Sequence, residues 1–289
     1  MTFNYHEAFS RNIGWITPTE QNELRGKRVA VAGCGGVSGR HLELLARLGV
    51  GQLNISDFDT FEIANFNRQM SATLPNVTRP KVDVIEEMIL TINPEIEIKK
   101  FPDGINTDNV DKFLSGADLY VDGLDYFAVD IRRLVFERCH RQNIPAVTAA
   151  PLGMGAAVLS FLPRRTSFEE YFRLDGHREL DQLIRFLVGL SPWMPHRGYL
   201  AWPQAVDFAN KKGPSTGMAC AICAGMAITE ALKILLGRGR VIHAPSAMHF
   251  DAYRSKFVRT WRPGGNNNPI QKATIALVKR QLAMIDKAR

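Results

Sequence analysis

A glycine-rich turn between an apolar strand and an amphipathic helix constrains this 289-residue chain more than any other stretch. Residues 28–47 read RVAVAGCGGVSGRHLELLAR. Val29-Ala30-Val31-Ala32 is a short apolar run suited to a buried strand. Gly33-Cys34-Gly35-Gly36-Val37-Ser38-Gly39 supplies the turn, and Leu42, Leu45 and Ala46 share one face of the helix that follows. Strand, turn and helix make the first half of a nucleotide-binding βαβ unit. With no Cβ at Gly33, Gly35 and Gly36 the backbone can approach a phosphate, and the N–H groups at the helix start favour its charge. Ser38 stands where the dinucleotide pattern G-x-G-x-x-G wants its last glycine. The next apolar run, Leu53 to Ser56, leads into Asp57-Phe58-Asp59. That sets an acid about 20 residues past the glycines, where a ribose hydroxyl needs an acceptor.

The length admits one large α/β domain or two modest ones. A hydrophobic fraction of 45% and a charged fraction of 22% are those of an ordinary globular chain. No uninterrupted run of 18 apolar residues stands out, and Met1 to Arg11 lacks the apolar stretch of a signal peptide. The expectation is a soluble, cytoplasmic protein with no membrane partner. The four cysteines (Cys34, Cys139, Cys220, Cys223) do not suggest a secreted disulfide framework. The net charge of +7 is concentrated: Arg254 to Arg289 holds nine basic residues and one acid, Asp286. Such a tail steers an anionic partner such as RNA, or is a solvated helix face that aids solubility.

Residues 61–70, FEIANFNRQM, are too polar for a core strand and lack helical periodicity. They gather Asn65, Asn67, Arg68 and Gln69 in one place. Beside a glycine turn such donors suit a polyphosphate, since a guanidinium bonds two phosphate oxygens at once; an ordinary polar loop is the alternative. Pro80 opens a helix over 81–91 with Val82, Ile85, Met88 and Ile89 on one face. Lys81 sits at the helix start, where the dipole disfavours a cation unless an anion lies beside it. Further strands are expected at 97–101, 119–125, 145–149 and 153–162, with helices at 109–114 and 131–142. Ligands of open parallel sheets bind beyond the carboxyl ends of the strands, which places Asp125 to hold a magnesium ion bridging phosphates.

Taken in order, Gly33-Cys34-Gly35-Gly36, Asp57-Phe58-Asp59, Asn65-Phe66-Asn67-Arg68-Gln69, Pro80-Lys81, Ile92-Asn93-Pro94 and the Asp125 strand resemble the ThiF/MoeB/HesA superfamily, the adenylating domain of ubiquitin-like-modifier activating enzymes. The resemblance covers roughly residues 9–162 and resumes near 213–237. It implies an α/β fold: a Rossmann-like, doubly wound, mostly parallel sheet continued by further strands. An N-terminal arm (1–26) would precede the adenylation domain (27–253), which carries a helical insert near 164–212. A basic linker and C-terminal helix (254–289) would follow. The implied activity is ATP- and Mg2+-dependent adenylation of a carboxylate, at the C-terminus of a ubiquitin-like or sulfur-carrier protein or of a peptide. On this resemblance Asp57 binds the ribose, Asn65 and Arg68 hold the phosphates, Lys81 neutralises the departing pyrophosphate and Asp125 binds Mg2+. Gly33, Gly35, Gly36, Asp59, Asn67 and Gln69 complete the nucleotide site. Arg11 resembles the N-terminal arginine that reaches the partner's ATP site, which implies a homodimer.

The sequence also departs from the family pattern. Ser38 and Gly39 exchange the usual order, Tyr126 stands where asparagine is usual, and Asp130 where arginine is common. These changes bear on turnover more than on nucleotide binding. Arg164 to Met218 contains no cysteine, so a thioester on that segment is excluded. The alternatives are an RNA-modifying enzyme like tRNA threonylcarbamoyladenosine dehydratase, acting on tRNA, and a non-catalytic nucleotide-binding subunit. The insert resembles that of ThiF-like proteins sometimes linked to nitroreductase-type domains, which adds a nitroreductase-like partner to the possibilities. Its amphipathic stretch, Glu179 to Leu190, and its aromatics suit a lid or partner surface, or else a satellite core beneath a long connection. Cys220 and Cys223 have no second pair, so zinc is not expected and buried helical cysteines are. His177, His196 and His243 form no evident metal set. Arg259 to Pro269 reads as a flexible linker, and Ile275, Val278, Leu282 and Ile285 as a docking seam on the last helix.

Overall fold

The computed structural model describes residues 2–208 and 210–287, the last three by backbone alone. Eight strands form one sheet: β1 (Arg28–Ala32), β2 (Gln52–Ser56), β3 (Glu97–Phe101), β4 (Leu119–Asp122), β5 (Ala146–Leu152), β6 (Gly155–Phe161), β7 (Ser246–Asp251) and β8 (Lys256–Trp261). Their spatial order is β3-β2-β1-β4-β5-β6-β7-β8. The first five are parallel and the last three antiparallel. The α-helices among the described residues are α1 (Tyr5–Ala8), α2 (Pro18–Gly26), α3 (Ser38–Arg47), α4 (Lys81–Ile92), α5 (Val110–Leu114), α6 (Val129–Arg141), α7 (Phe168–Phe172), α8 (Glu179–Leu190), α9 (Gly217–Leu235) and α10 (Pro269–Lys287). This is the doubly wound α/β architecture that the family resemblance implied.

Alternation along the buried strands divides the core in two. Val29, Val31, Leu53, Ile55, Leu119, Val121 and Val147 face one way, against Leu42 and Leu45 of α3, Ile85 of α4 and Ala227 of α9. Ala30, Ala32, Tyr120, Ala146 and Leu159 face the other, against Phe113 of α5, Phe136 of α6 and Phe172 and Phe186 of the insert. The insert is thus part of the second core layer. Helix α9 is long and apolar enough to cross a membrane, but half of that stretch is buried. Its packing on the sheet accounts for its composition.

On sequence alone either Thr19 or Thr17 could cap a short helix running through Leu24. Thr17 caps α2 with a capping box to Glu20 and Pro18 in its first turn. Helix α8 spans Glu179–Leu190, as its periodicity predicts. The flexible-linker reading is overturned. Arg259 to Trp261 belong to β8, and Gly265–Asn267 form a 3-10 turn in which Gly265 and Asn266 are buried. The Asn266 amide donates to the carbonyls of Phe172 and Arg185. Asparagine-rich sequence reads as loop, but here the amide satisfies helix-end and insert carbonyls from within. The β7–β8 pair was not anticipated. SAMHFD carries no β-branched residue, and its strand state comes from pairing with β6 and β8. The expected seam of the last helix seats on the insert: Ile275 and Val278, with Leu282, pack against Ile184, Val188 and Met194. The fourth seam residue, Ile285, lies outside the described side chains.

Two buried histidines and a partly buried third make the fold acid-sensitive. His41 on α3 is fully buried with neither ring nitrogen bonded. His249 on β7 bonds Ser191 through Nδ1 at 2.7 Å, and His196 stacks on it with ring centres 5.6 Å apart. Burial holds all three at about 4. Unfolded, each titrates near 6.5. Between these values the unfolded chain binds the extra proton, so stability is fully present above about pH 6.5 and is lost as pH falls towards 4. Each histidine contributes up to about 3 kcal/mol of that loss. Urea denaturation at pH 7 and pH 5 measures it. His41→Leu is expected to flatten the slope while costing little at pH 7, because it removes two unbonded nitrogens.

Candidate active site

The carboxyl ends of β1, β2 and β4 meet where the strand order reverses, between β1 and β4. The turn leaving β1 is drawn tight there. A Cβ on Gly33, which has φ +95°, would stand 2.2 Å from the carbonyl oxygen of Gly123, and one on Gly123 would stand 2.3 Å from Cβ of Ser38. Only glycine fits both positions. Val37, at the start of α3, has no side-chain cap. The N–H of Gly39 donates to the carbonyl of Gly35 at 3.0 Å, so an anion at this helix start would be met by the neighbouring N–H groups.

The DFD segment walls the turn from the β2 side. One Asp57 oxygen accepts the N–H of Cys34 at 2.6 Å and the other that of Asp59 at 2.8 Å. Burial raises the Asp57 carboxyl above its ordinary value, against the lowering by these N–H groups and by Lys81. Its first task is thus to lock the glycine turn to β2, and each oxygen keeps a lone pair for a ligand hydroxyl. The anion expected beside Lys81 proves to be a protein carboxylate. Its ammonium pairs with Asp59 at 2.9 Å, the lysine buried and the aspartate half exposed.

The polar motif covers the turn from above. Residues Ile63–Asn65 form a 3-10 turn, with Asn65 buried and its side-chain oxygen accepting the N–H of Glu62. Arg68 donates to the carbonyl of Ala64 and to the Asn67 side chain, both at 2.9 Å. Its aliphatic stem lies 3.4 Å from where a Gly36 Cβ would be. The Gln69 amide stands over Gly35 in the same way, at 3.7 Å. Oε1 of Gln69 and Oγ of Ser38 are buried with no partner. Orphaned polar atoms beside a cradle without side chains fit a bound nucleotide, whose hydroxyl, amino and phosphate groups would satisfy them.

Asp125 flanks the turn from the β4 side. Strand β4 ends at Asp122, so Asp125 lies in the loop beyond, exposed, with Oδ1 accepting the N–H of Phe127 at 2.9 Å. No group of three potential metal-ligating side chains occurs among the described residues. A single carboxylate does fit Mg2+, which is usually held by one or two carboxylates together with substrate phosphates.

Arg11 is not brought to this cluster. It is exposed in a 3-10 turn whose neighbour Asn12 bonds the carbonyl of Arg47, at the far end of α3. That helix is about 15 Å long, so within its own chain Arg11 stands away from the glycine turn.

Three features escaped sequence reasoning. Asp122 is buried and accepts from Arg132 Nε and Thr148 Oγ1, both at 2.7 Å. Arg132 also donates to the carbonyls of Leu124 and Asp125. The start of α9 closes the remaining wall: Asn67 donates to the carbonyl of Ser215 at 2.9 Å, and Cys220 Sγ lies 3.2 Å from a Gly36 Cβ position. A polar cavity of about 250 Å3 lined by Tyr5, Arg25, Gln52 and Glu95 lies at the opposite edge of the sheet, away from all these groups.

The sequence pattern of the ThiF family matches residues 9–272. The chain belongs to the ThiF family. Among curated relatives it is 35% identical over 150 residues to the tRNA threonylcarbamoyladenosine dehydratase of Bacillus subtilis, covering 52% of this chain and 57% of that one. It is 28% identical over 242 residues to the sulfur carrier protein adenylyltransferase of Thermus thermophilus, covering 84% and 81%. The chain spans about half the length of most curated relatives it matches. In structure it is similar to E. coli MccB crystallised with ATP, with a TM-score of 0.66, 19% identity and coverage of 90% and 74%. It is similar also to E. coli TcdA, a tRNA N6-threonylcarbamoyladenosine dehydratase, with a TM-score of 0.59, 21% identity and coverage of 80% and 95%. At these identities the structural likeness shows the ThiF-type fold.

Proposed function

We propose that this ThiF-family protein is an ATP- and Mg2+-dependent adenylyltransferase that activates a carboxylate, on a protein or peptide C-terminus, without a covalent thioester. The observation that carries the proposal is the cradle of Gly33, Gly35 and Gly36, roofed by Arg68 and Gln69 and flanked by Lys81, at the strand ends. In the reaction an acceptor carboxylate oxygen attacks the α-phosphorus of ATP. The bond to the β-phosphate breaks, and pyrophosphate leaves with the electron pair. Arg68 and Lys81 stabilise charge that builds on the leaving oxygens. Mg2+ held by Asp125 would offset phosphate charge. All four cysteines are buried and free, and burial pushes their thiols up, so none is a poised nucleophile. Arg11 completes the site of a second copy in a homodimer, which accounts for its distance from its own.

A second reading takes tRNA as acceptor, and one surface favours it. The β7–β8 turn lies at the same sheet edge as the glycine turn, because β7 runs parallel to β5. Residues 252–262 carry Arg254, Lys256, Arg259 and Arg262, expose Tyr253, Phe257 and Trp261, and contain no acid. Cations interleaved with exposed aromatics suit single-stranded nucleic acid. The similarity to tRNA dehydratases supports this reading too.

ATP–pyrophosphate exchange tests both. Exchange stimulated by a sulfur-carrier protein or C-terminal peptide is expected. Stimulation by tRNA instead, weakened by salt and by Lys256→Ala with Arg259→Ala, would shift the acceptor to RNA. ATP binding with no exchange for any acceptor would reduce the protein to a nucleotide-binding subunit.

A further inference from the structure

We propose that Tyr126 is a positioning residue: it ties the Asp125 loop to helix α8, so that the seat of the insert on the sheet sets where the Asp125 carboxylate stands. The inference rests on the reading of Asp125 as the Mg2+-binding carboxylate. Asp125 and Tyr126 leave the strand end in opposite senses. Asp125 is exposed, whereas the Tyr126 hydroxyl donates to the carbonyl of Leu183, in the middle of α8, at 2.6 Å. Its ring packs on Phe186 and Phe208 of the insert, with centres 5.7 and 6.1 Å away. The other anchor of the loop reaches the same helix. Arg132, which holds the carbonyl of Asp125 at 3.0 Å, lies 4.6 Å over the Phe186 ring. Both tethers of the metal-side loop therefore end within one turn of α8, at Leu183 and Phe186.

Helix α8 is itself fixed from behind. Asp181 pairs with Lys279 of α10 at 2.6 Å, and the carbonyls of Arg185 and Val188 accept from Asn266 and Gln271. A chain of contacts thus runs from α10 through α8 and Tyr126 to Asp125. Asparagine, the residue usual at this position in the family, is too short to reach α8. A loop carrying a single carboxylate has no second ligand to correct its aim, so a bond that fixes its backbone acts directly on metal affinity.

The test is calorimetric titration of ATP into the full chain, with and without Mg2+. In the wild type Mg2+ tightens ATP binding, and Asp125→Asn removes that gain. Tyr126→Phe keeps the ring and deletes only the bond to Leu183. It is expected to lose at least fivefold of the Mg2+ gain while metal-free ATP affinity stays within twofold. Phe186→Leu, which loosens the α8 side of the same contact, is a second variant expected to move the gain in the same direction. A merely structural tyrosine would change both affinities together or neither. An undiminished Mg2+ gain in both variants, with the gain still lost in Asp125→Asn, would overturn the tether and leave the site assignment standing. A gain that survives Asp125→Asn, or is absent from the wild type, would overturn both.

Discussion

Lys81→Ala is expected to lower ATP–pyrophosphate exchange by about 10²–10³-fold while leaving the protein folded. The two halves of that expectation come from one ion pair. Lys81 is buried where α4 begins, so no water shell competes with what its ammonium touches. Its partner Asp59 is half exposed, and Asp57, which Lys81 also helps to keep charged, retains the N–H groups of Cys34 and Asp59. The structural loss is therefore small, whereas the leaving pyrophosphate loses a preorganised cation. Arg68→Ala belongs with it. The guanidinium is held by Ala64 and Asn67 above Gly36, so its orientation costs nothing at the moment of reaction. Unchanged exchange in both variants would remove the site assignment; melting curves that overlay the wild type would separate chemistry from folding.

Arg132→Met is expected to be the most damaging single change to stability, at about 3–5 kcal/mol, read by urea denaturation at pH 7. The side chains of Arg132 and Asp122 are only 3% and 2% exposed. Without the guanidinium, Asp122 keeps Thr148 Oγ1 and the N–H of Leu124 but no countercharge. Adding Asp122→Asn should recover much of the loss, because the pair is coupled. Arg133→Met is the control. Arg133 pairs with Glu169 and Asp175 at the surface, and its loss is expected to cost no more than about 1 kcal/mol.

The sequence by itself determined what depends on near neighbours. A run of small and β-branched residues before three glycines requires a buried strand and a tight turn. The donors of residues 65–69 lie within five positions of one another, so their concentration is visible before any fold is known. Helix α8 and the cap at Thr17 follow from period and from backbone N–H groups that need an acceptor nearby. Tertiary structure decided everything that joins distant positions. Asn67 meets Ser215 across 148 residues, Tyr126 meets Leu183 across 57, and Thr148 meets Asp122 across 26. The same holds for β7 and the Gly264–Asn268 turn, whose composition reads as loop until a neighbouring strand or helix end supplies partners. The physical reason is that a polar group takes its role from the partner that satisfies it. Where that partner is fixed by packing and not by chain connectivity, only the assembled sheet and its helices can name it.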